Sequence, residues 1–322
     1  LPWNSATAAL AAEALGAGMR LRTARAPFQV EGRTFPTGSV LVRTHENDEE
    51  ALQSLALMVK RHGAEAVAIN ESYPTGDGIS LGSNQMAGMK APRVLMLFDR
   101  PTSSLSTGWA RYILERRYGV ATTAVRAASL GRVDLSDFDV MILPEGNYDS
   151  VFQGGAMDRL QEWMRRGGTV VTLGEASRWA ARTGLLATHT ELRGGAPDTP
   201  DTPPRTVSQE QPIQYLDAIQ PPRERPEPVP GASLRVAMDT SLWMASGTDG
   251  EIQALVESNR IFTPITLDRG ANVGRYAGLD RLVASGIVWE DTRPQLVAKS
   301  FLIHQPFGQG HLIAFAEDPN YR

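Results

Sequence analysis

Between Arg93 and Thr183 the chain alternates short apolar runs with amphipathic stretches that end in or beside glycine. RVLMLFD (93–99) is apolar at nearly every position, as expected of a strand buried on both faces of a parallel sheet, and it leads into SSLSTGWARYILERRYG (103–119), a helix stopped by Gly119. VATTAV (120–125) predicts a second strand, FDVMILPEG (138–146) a third, and AMDRLQEWMRRGG (156–168) a second helix. TVVTLG (169–174) then predicts a fourth strand and EASRWAART (175–183) a third helix. This order predicts an α/β fold, a doubly wound, mainly parallel flavodoxin-like sheet with right-handed crossovers. Ligands of such sheets sit beyond the C-terminal ends of the strands.

The flanks read differently. Residues 1–90 predict a small α+β connecting module. A helix over 5–17 is capped by Ser5 and stopped by glycine, MRLRTAR (19–25) is a strand, and FQVEGRTFPTGSVLVRT (28–44) is hairpin-like. A helix over 47–61 follows, with Leu52, Leu55, Leu57, Met58 and Val59 on one imperfect face. Gly63 ends it before a strand AEAVAIN (64–70), and residues 70–90 read as a connector. The α/β pattern spans 91–192. Residues 193–231 are too rich in proline and charge to bury a core and read as a linker or surface excursion. From 232 to 322 the chain is β-rich and is expected to complete the α/β domain, with GRYAG, LVASGIVW, LVAKSFLIHQPFG and GHLIAFA as strands or hairpin arms.

Composition narrows the function classes. At 322 residues the chain exceeds one ordinary core. No apolar run approaches the ~18 residues of a membrane span. A net charge of −4 with scattered Lys and Arg argues against nucleic acid as a partner. The absence of cysteine excludes disulfides, thiolate–metal sites and a cysteine nucleophile. The chain opens at Leu1 without a signal-peptide pattern and closes just after a strand-like run, so it reads as a fragment whose targeting signals would lie elsewhere.

Several groups of residues invite a chemical reading. His62 and Glu65, with distant His189, have the residue types of a two-His-one-carboxylate metal site, but their context reads as a helix end followed by a strand, and His45 as part of a solvated turn. No metal is therefore expected in this chain. His304 and His311 would lie on opposite faces of one continuous strand, or face each other across a hairpin turning at 306–310; a third ligand would then require Glu317 or Asp318 to fold back. The junction 172–178 stands where doubly wound hydrolases place a nucleophile elbow, yet it lacks Gly-x-Ser-x-Gly. Ser177, with Glu175 and with His304 as base, is the candidate catalytic set; the alternative is that Glu175, Ala176 and Ser177 simply open a helix. Glu145, Gly146 and Asn147 end the third strand and, with Glu175 and Arg178, form a candidate ligand-binding group. Trp109, Trp163 and Trp179 are expected to pack in the core.

FDVMILPEGNY, MRRGGTVVTLGEASRWA and GWARYILERRYG resemble a class I glutamine amidotransferase-like domain over about residues 92–190. VPGASLRVAMD, RLVASGIVWE and GQGHLIAFAEDPNYR are similar to the tail that follows this domain in bacterial proteins of the zinc carboxypeptidase family, the carboxypeptidase-A-like metallopeptidases. APFQVEGRTFPTGSVLV looks like their connecting module. In active amidotransferases a nucleophilic cysteine ends the fourth strand, and Glu175 or Ala176 stands at the matching position here. The resemblance thus implies a non-catalytic accessory region of a secreted or periplasmic metallopeptidase. Zinc would be held by a peptidase domain preceding Leu1, and that domain would be this chain's partner. A binding module for a small molecule, peptide or glycan, and a serine-based hydrolase, are the alternatives.

Overall fold

A computed structural model of the chain describes residues 1–74, 78–192, 229–290 and 292–320; most of the expected Pro-rich linker, 193–228, lies outside them. The chain divides into two compact units. One comprises Leu1–Arg93, Arg111–Thr122 and Thr240–Asp249, the other Val94–Ala110, Thr123–Asp239 and Gly250–Arg322.

The first unit holds α1 (Ser5–Gly16), β1 (Leu21–Ala24), β2 (Phe28–Val30), β3 (Arg33–Phe35), β4 (Val40–Val42), α2 (Glu49–His62) and β5 (Met86–Gly88). The cap of α1 is Asn4, one residue before the expected Ser5: its backbone is extended and its side chain accepts the Thr7 N–H at 2.9 Å. Gly63 closes α2 in the left-handed conformation, as its position predicts. β2 and β3 form the expected hairpin, with Phe28 and Phe35 stacked at 4.9 Å. AEAVAIN, however, is not a strand: it finds no pairing partner, and Val67 and Ile69 instead pack singly against a small core around Phe28, Val30 and Phe35. The supposed connector, in turn, contains β5, which pairs with β1 as Met86 opposite Ala24. Three residues are too few to show an alternation.

The second unit is built on one sheet. Its strands are β6 (Val94–Phe98), β7 (Thr122–Arg126), β8 (Val140–Leu143), β9 (Thr169–Leu173), β11 (Ala232–Met238), β12 (Glu251–Val256), β14 (Ala271–Tyr276), β15 (Val283–Gly286), β16 (Ser300–Phe307) and β17 (Gly310–Phe315). β10 (Thr190–Leu192) and β13 (Arg260–Phe262) pair separately as an antiparallel ribbon. The helices are α3 (Ser104–Tyr112), α4 (Gly155–Arg165), α5 (Glu175–Arg182) and the short α6 (Arg293–Leu296). The sheet order is β12-β11-β14-β16-β17-β9-β8-β6-β7, with β15 also on β11.

β6, β8, β9 and β17 pair in parallel, whereas β11, β12, β14, β15 and β16 join antiparallel. Taking β6, β7, β8, β9 and β17 as the first to fifth strands gives the order 2-1-3-4-5, the flavodoxin-like arrangement. The β-rich C-terminal part thus supplies the fifth of these strands and an antiparallel extension beyond it.

The parallel strands are apolar because both of their faces are covered. Leu95, Met96, Leu97, Leu143 and Val170 have no exposed surface. Tyr148, Phe152 and Trp179 form an aromatic cluster with ring separations of 5.1–6.2 Å. Trp179 and Trp163 are core residues as expected. Trp109 is not: it is 37% exposed, because Ser106, Thr107 and Ala110 take the inward face of α3.

Candidate functional site

The register of the parallel strands sets their C-terminal ends level. Leu143 lies beside Thr172, and Leu173 beside Phe315. Two residues beyond each of these strands stands a glutamate: Glu145 after β8, Glu175 after β9 and Glu317 after β17. Three carboxylates thereby converge at the edge where folds of this order bind ligands.

Arg260, the first residue of β13, puts its guanidinium among them. Nη2 donates to Glu145 Oε1 at 2.8 Å and to Glu317 Oε2 at 3.2 Å, Nη1 to Glu175 Oε2 at 3.5 Å, and Nε to the Ala316 carbonyl at 3.4 Å. Its side chain is 13% exposed. Burial alone would lower its pKa, but Glu317, Glu145 and Glu175 more than offset this and hold it above its ordinary value.

The surroundings complete the network. Arg178, on the first turn of α5, donates to Glu175 Oε1 at 3.1 Å. The hydroxyl of Ser258 donates to Glu317, and that of Ser106 donates to Asp318 while accepting the Glu145 N–H at 3.0 Å. A cavity of about 240 Å³ is lined by Glu145, Glu257, Ser258, Arg260, Glu317 and Asp318. It is below the usual range for small-molecule pockets, roughly 300–1,000 Å³.

The strand-to-helix elbow turns on Gly174, whose φ of +52° and ψ of −111° are open to glycine but strained for other residues. A Cβ built on Gly174 would lie 2.1 Å from Glu145 Oε1. This strained residue is where an elbow carries its nucleophile. In this elbow the strained position is Gly174, and the space a side chain would take there holds the Glu145 carboxylate. Glu175 is the first residue of α5, and Ala176 is completely buried.

The other expected site residues are placed as follows. Ser177 is completely buried, its Oγ donating to the Phe315 carbonyl at 2.7 Å and lying 2.8 Å from Thr172 Oγ1. His304 pairs with His311 across the β16–β17 hairpin. Ser177, Glu175 and His304 are thus not assembled into a catalytic set. Gly146 is closed in by Pro101, whose carbonyl would be 2.7 Å from an added Cβ, and Asn147 accepts from Asp149 N–H and Arg182. Of the candidate binding residues, the structure brings together Glu145, Glu175 and Arg178.

His62 bonds Glu13 at 2.6 Å, while Glu65 lies 3.8 Å from Arg33 and, with 64–70 unpaired, opens no strand. His45 is an exposed neighbour of Glu46. Among the described residues no three of His, Asp and Glu gather as metal ligands. Sequence reasoning did not assign Arg260, Glu317, Ser258 or Ser106 to this crevice. Glu317 had a signal, the same two-residue offset from a strand end as Glu145 and Glu175; Arg260, 115 residues from Glu145, had none.

No family model matches the chain, and no curated protein matches it in sequence. Among solved structures, a β-galactosidase from Bacillus circulans sp. alkalophilus is similar over 71% of this chain at 10% identity and a TM-score of 0.38, and the chain spans only 29% of that protein. A glutamine amidotransferase from Thermotoga maritima is similar over 71% of this chain and 76% of its own length, at 8% identity and a TM-score of 0.39. PurLQS from the same organism is similar over 69% and 85%, at 12% identity and a TM-score of 0.41. Likeness at this level bears on neither activity nor ligand; the α/β class and the flavodoxin-like strand order stand on the chain's own sheet topology.

Proposed function

We propose that this chain is a non-catalytic accessory module whose strand-end crevice is filled by its own side chains. The observation that carries this reading is the Glu145 carboxylate lying against Gly174, 2.1 Å from where a Cβ would be. Acyl transfer at an elbow requires a nucleophile on the strained residue, a base within hydrogen-bond reach and donors aimed at a developing oxyanion. Gly174 has no side chain to attack with, and a carboxylate beside it opposes an oxyanion. The nearest guanidiniums, Arg260 and Arg178, are already bound to Glu145, Glu175 and Glu317.

The sequence resemblance of 229–239, 281–290 and 308–322 supports the finer reading, an accessory region of a secreted or periplasmic zinc carboxypeptidase-like protein. There it would support or position a zinc-binding peptidase domain located ahead of Leu1. Two experiments test the two halves separately. Ammonia release from glutamine and hydrolysis of an ester panel should stay at the buffer rate; turnover that disappears in Glu145→Gln would overturn the non-catalytic half. The coding sequence ahead of Leu1 should contain His-x-x-Glu and a later histidine, and a frame without them removes the peptidase half.

A further inference from the structure

We infer that the β16–β17 hairpin carries a two-histidine site for a divalent metal of tetragonal preference, copper(II) or nickel(II), apart from the crevice and independent of the accessory reading. β16 and β17 pair so that His304 opposes Ile313 and His311 opposes Pro306. The two histidines therefore share a face as diagonal neighbours, and His304 Nε2 lies 2.9 Å from His311 Nδ1, the ring centres 5.0 Å apart.

Two imidazole nitrogens bound to one first-row divalent ion at about 2.0–2.1 Å stand roughly 2.9–3.3 Å apart, so a small turn of each ring lets the pair close on an ion. Affinity for nitrogen ligands rises through the first-row divalent ions to copper(II) and falls at zinc, and tetragonal nitrogen and oxygen coordination belongs to copper(II) and nickel(II). In the metal-free pair one ring N–H donates to the facing nitrogen. Binding needs that proton to move to the outer nitrogen of its own ring and each ring to turn slightly, so that both lone pairs meet at the ion.

The hairpin holds the pair ready. Gly308 turns it at φ +65°, so close to α4 that an added Cβ would lie 2.7 Å from Arg165 Cα, and Gly310 is tighter still, an added Cβ lying 2.1 Å from the Gly168 carbonyl. A bite whose backbone is fixed loses little freedom on binding.

His304 also borders a surface cavity of about 630 Å³ with Asp268, Gln305, Arg165 and Arg269 on its walls. The cavity leaves room for water or an anion at the remaining coordination positions. The two arginines and the lack of a third protein ligand among the described residues limit the affinity.

The test starts from the unaltered chain. With one equivalent of copper(II), its electron paramagnetic resonance spectrum should show splitting from two imidazole nitrogens, a readout that needs no variant to fold. Calorimetric titration should give one site for copper(II), with zinc bound about tenfold or more weakly. His304→Gln and His311→Gln should each weaken copper about tenfold or more, and His45→Gln should leave it unchanged. A spectrum without two-nitrogen splitting, zinc bound as tightly as copper, or copper retained by both hairpin variants, as capture at the Leu1 amine would give, overturns the inference.

Discussion

Replacing Arg260 with alanine removes the one cation among the described residues that touches all three crevice glutamates. The guanidinium makes two well-formed charged hydrogen bonds, at 2.8 Å to Glu145 and 3.2 Å to Glu317, and a marginal one at 3.5 Å to Glu175. Breaking a buried ion pair from one side costs about 3–5 kcal/mol, because the partner is left charged and dry. Here the figure falls toward the lower end: Glu145 and Glu175 are each 31% exposed and regain water, while Glu317, 6% exposed, does not. The expected loss is about 3 kcal/mol. At roughly 2–4 °C per kcal/mol for a unit of this size, the melting transition should fall by about 6–12 °C.

Urea unfolding followed by circular dichroism, with calorimetry alongside, measures both quantities. Three companion results separate charge from packing. Arg260→Met, which keeps most of the stem, should lose nearly as much as alanine. Adding Glu317→Gln to Arg260→Ala should recover part of the loss by removing a buried carboxylate whose neutralising guanidinium is gone. The deficit should change little between roughly 0.1 and 1 M salt, since buried charges are weakly screened. A loss under about 1 kcal/mol, typical of exposed pairs, would refute the idea that Arg260 neutralises the crevice.

Gly174→Ala should destabilise by about 2 kcal/mol, from the positive φ and the 2.1 Å approach to Glu145, and Glu145→Ala should relieve ~1 kcal/mol of it; a double-mutant cycle with strictly additive effects would deny the contact. Leu143→Ala, at a fully buried position in β8, should cost about 2–5 kcal/mol by denaturant unfolding. Hydrogen bonds from Arg22, then Arg43, hold the Glu46 carboxyl down at about 2 from an ordinary 4.5; its contribution is complete above pH 4.5 and lost as pH falls toward 2, so Glu46→Gln should flatten that part of an acid-unfolding curve. Burial depresses the His304 and His311 imidazoles below 6.5, so the unfolded chain binds more protons just below that pH: stability complete above 6.5 should decline on acidification, and His304→Gln should reduce the slope.

Much of the fold was legible in local patterns. Continuous apolar runs at 94–98 and 140–143, and the β-branched TVVTL at 169–173, announce strands covered on both faces, and Gly63 marks a helix end because left-handed backbone suits it. Such signals report burial and backbone preference, which each short segment carries in its own residues. They do not report pairing. AEAVAIN alternates like a strand without a neighbour to bond, and Met86–Gly88 is a strand only because β1 offers it an edge.

The crevice follows the same division. Glu145, Glu175 and Arg178 were recognisable at strand ends and on the following helix turn. The depth at which the glutamates meet depended on parallel register across β8, β9 and β17, whose last member lies some 140 residues beyond β9 in the chain. Arg260 reached them through a ribbon that no local pattern foretold. Ser177 looked available in the sequence and is sealed by the Phe315 carbonyl once β17 docks beside β9. The chain by itself determined which segments would be strands and helices and which strands would be buried. Tertiary structure decided which loop ends share a space, because that depends on strand order and register, and these are set by contacts between residues far apart in sequence.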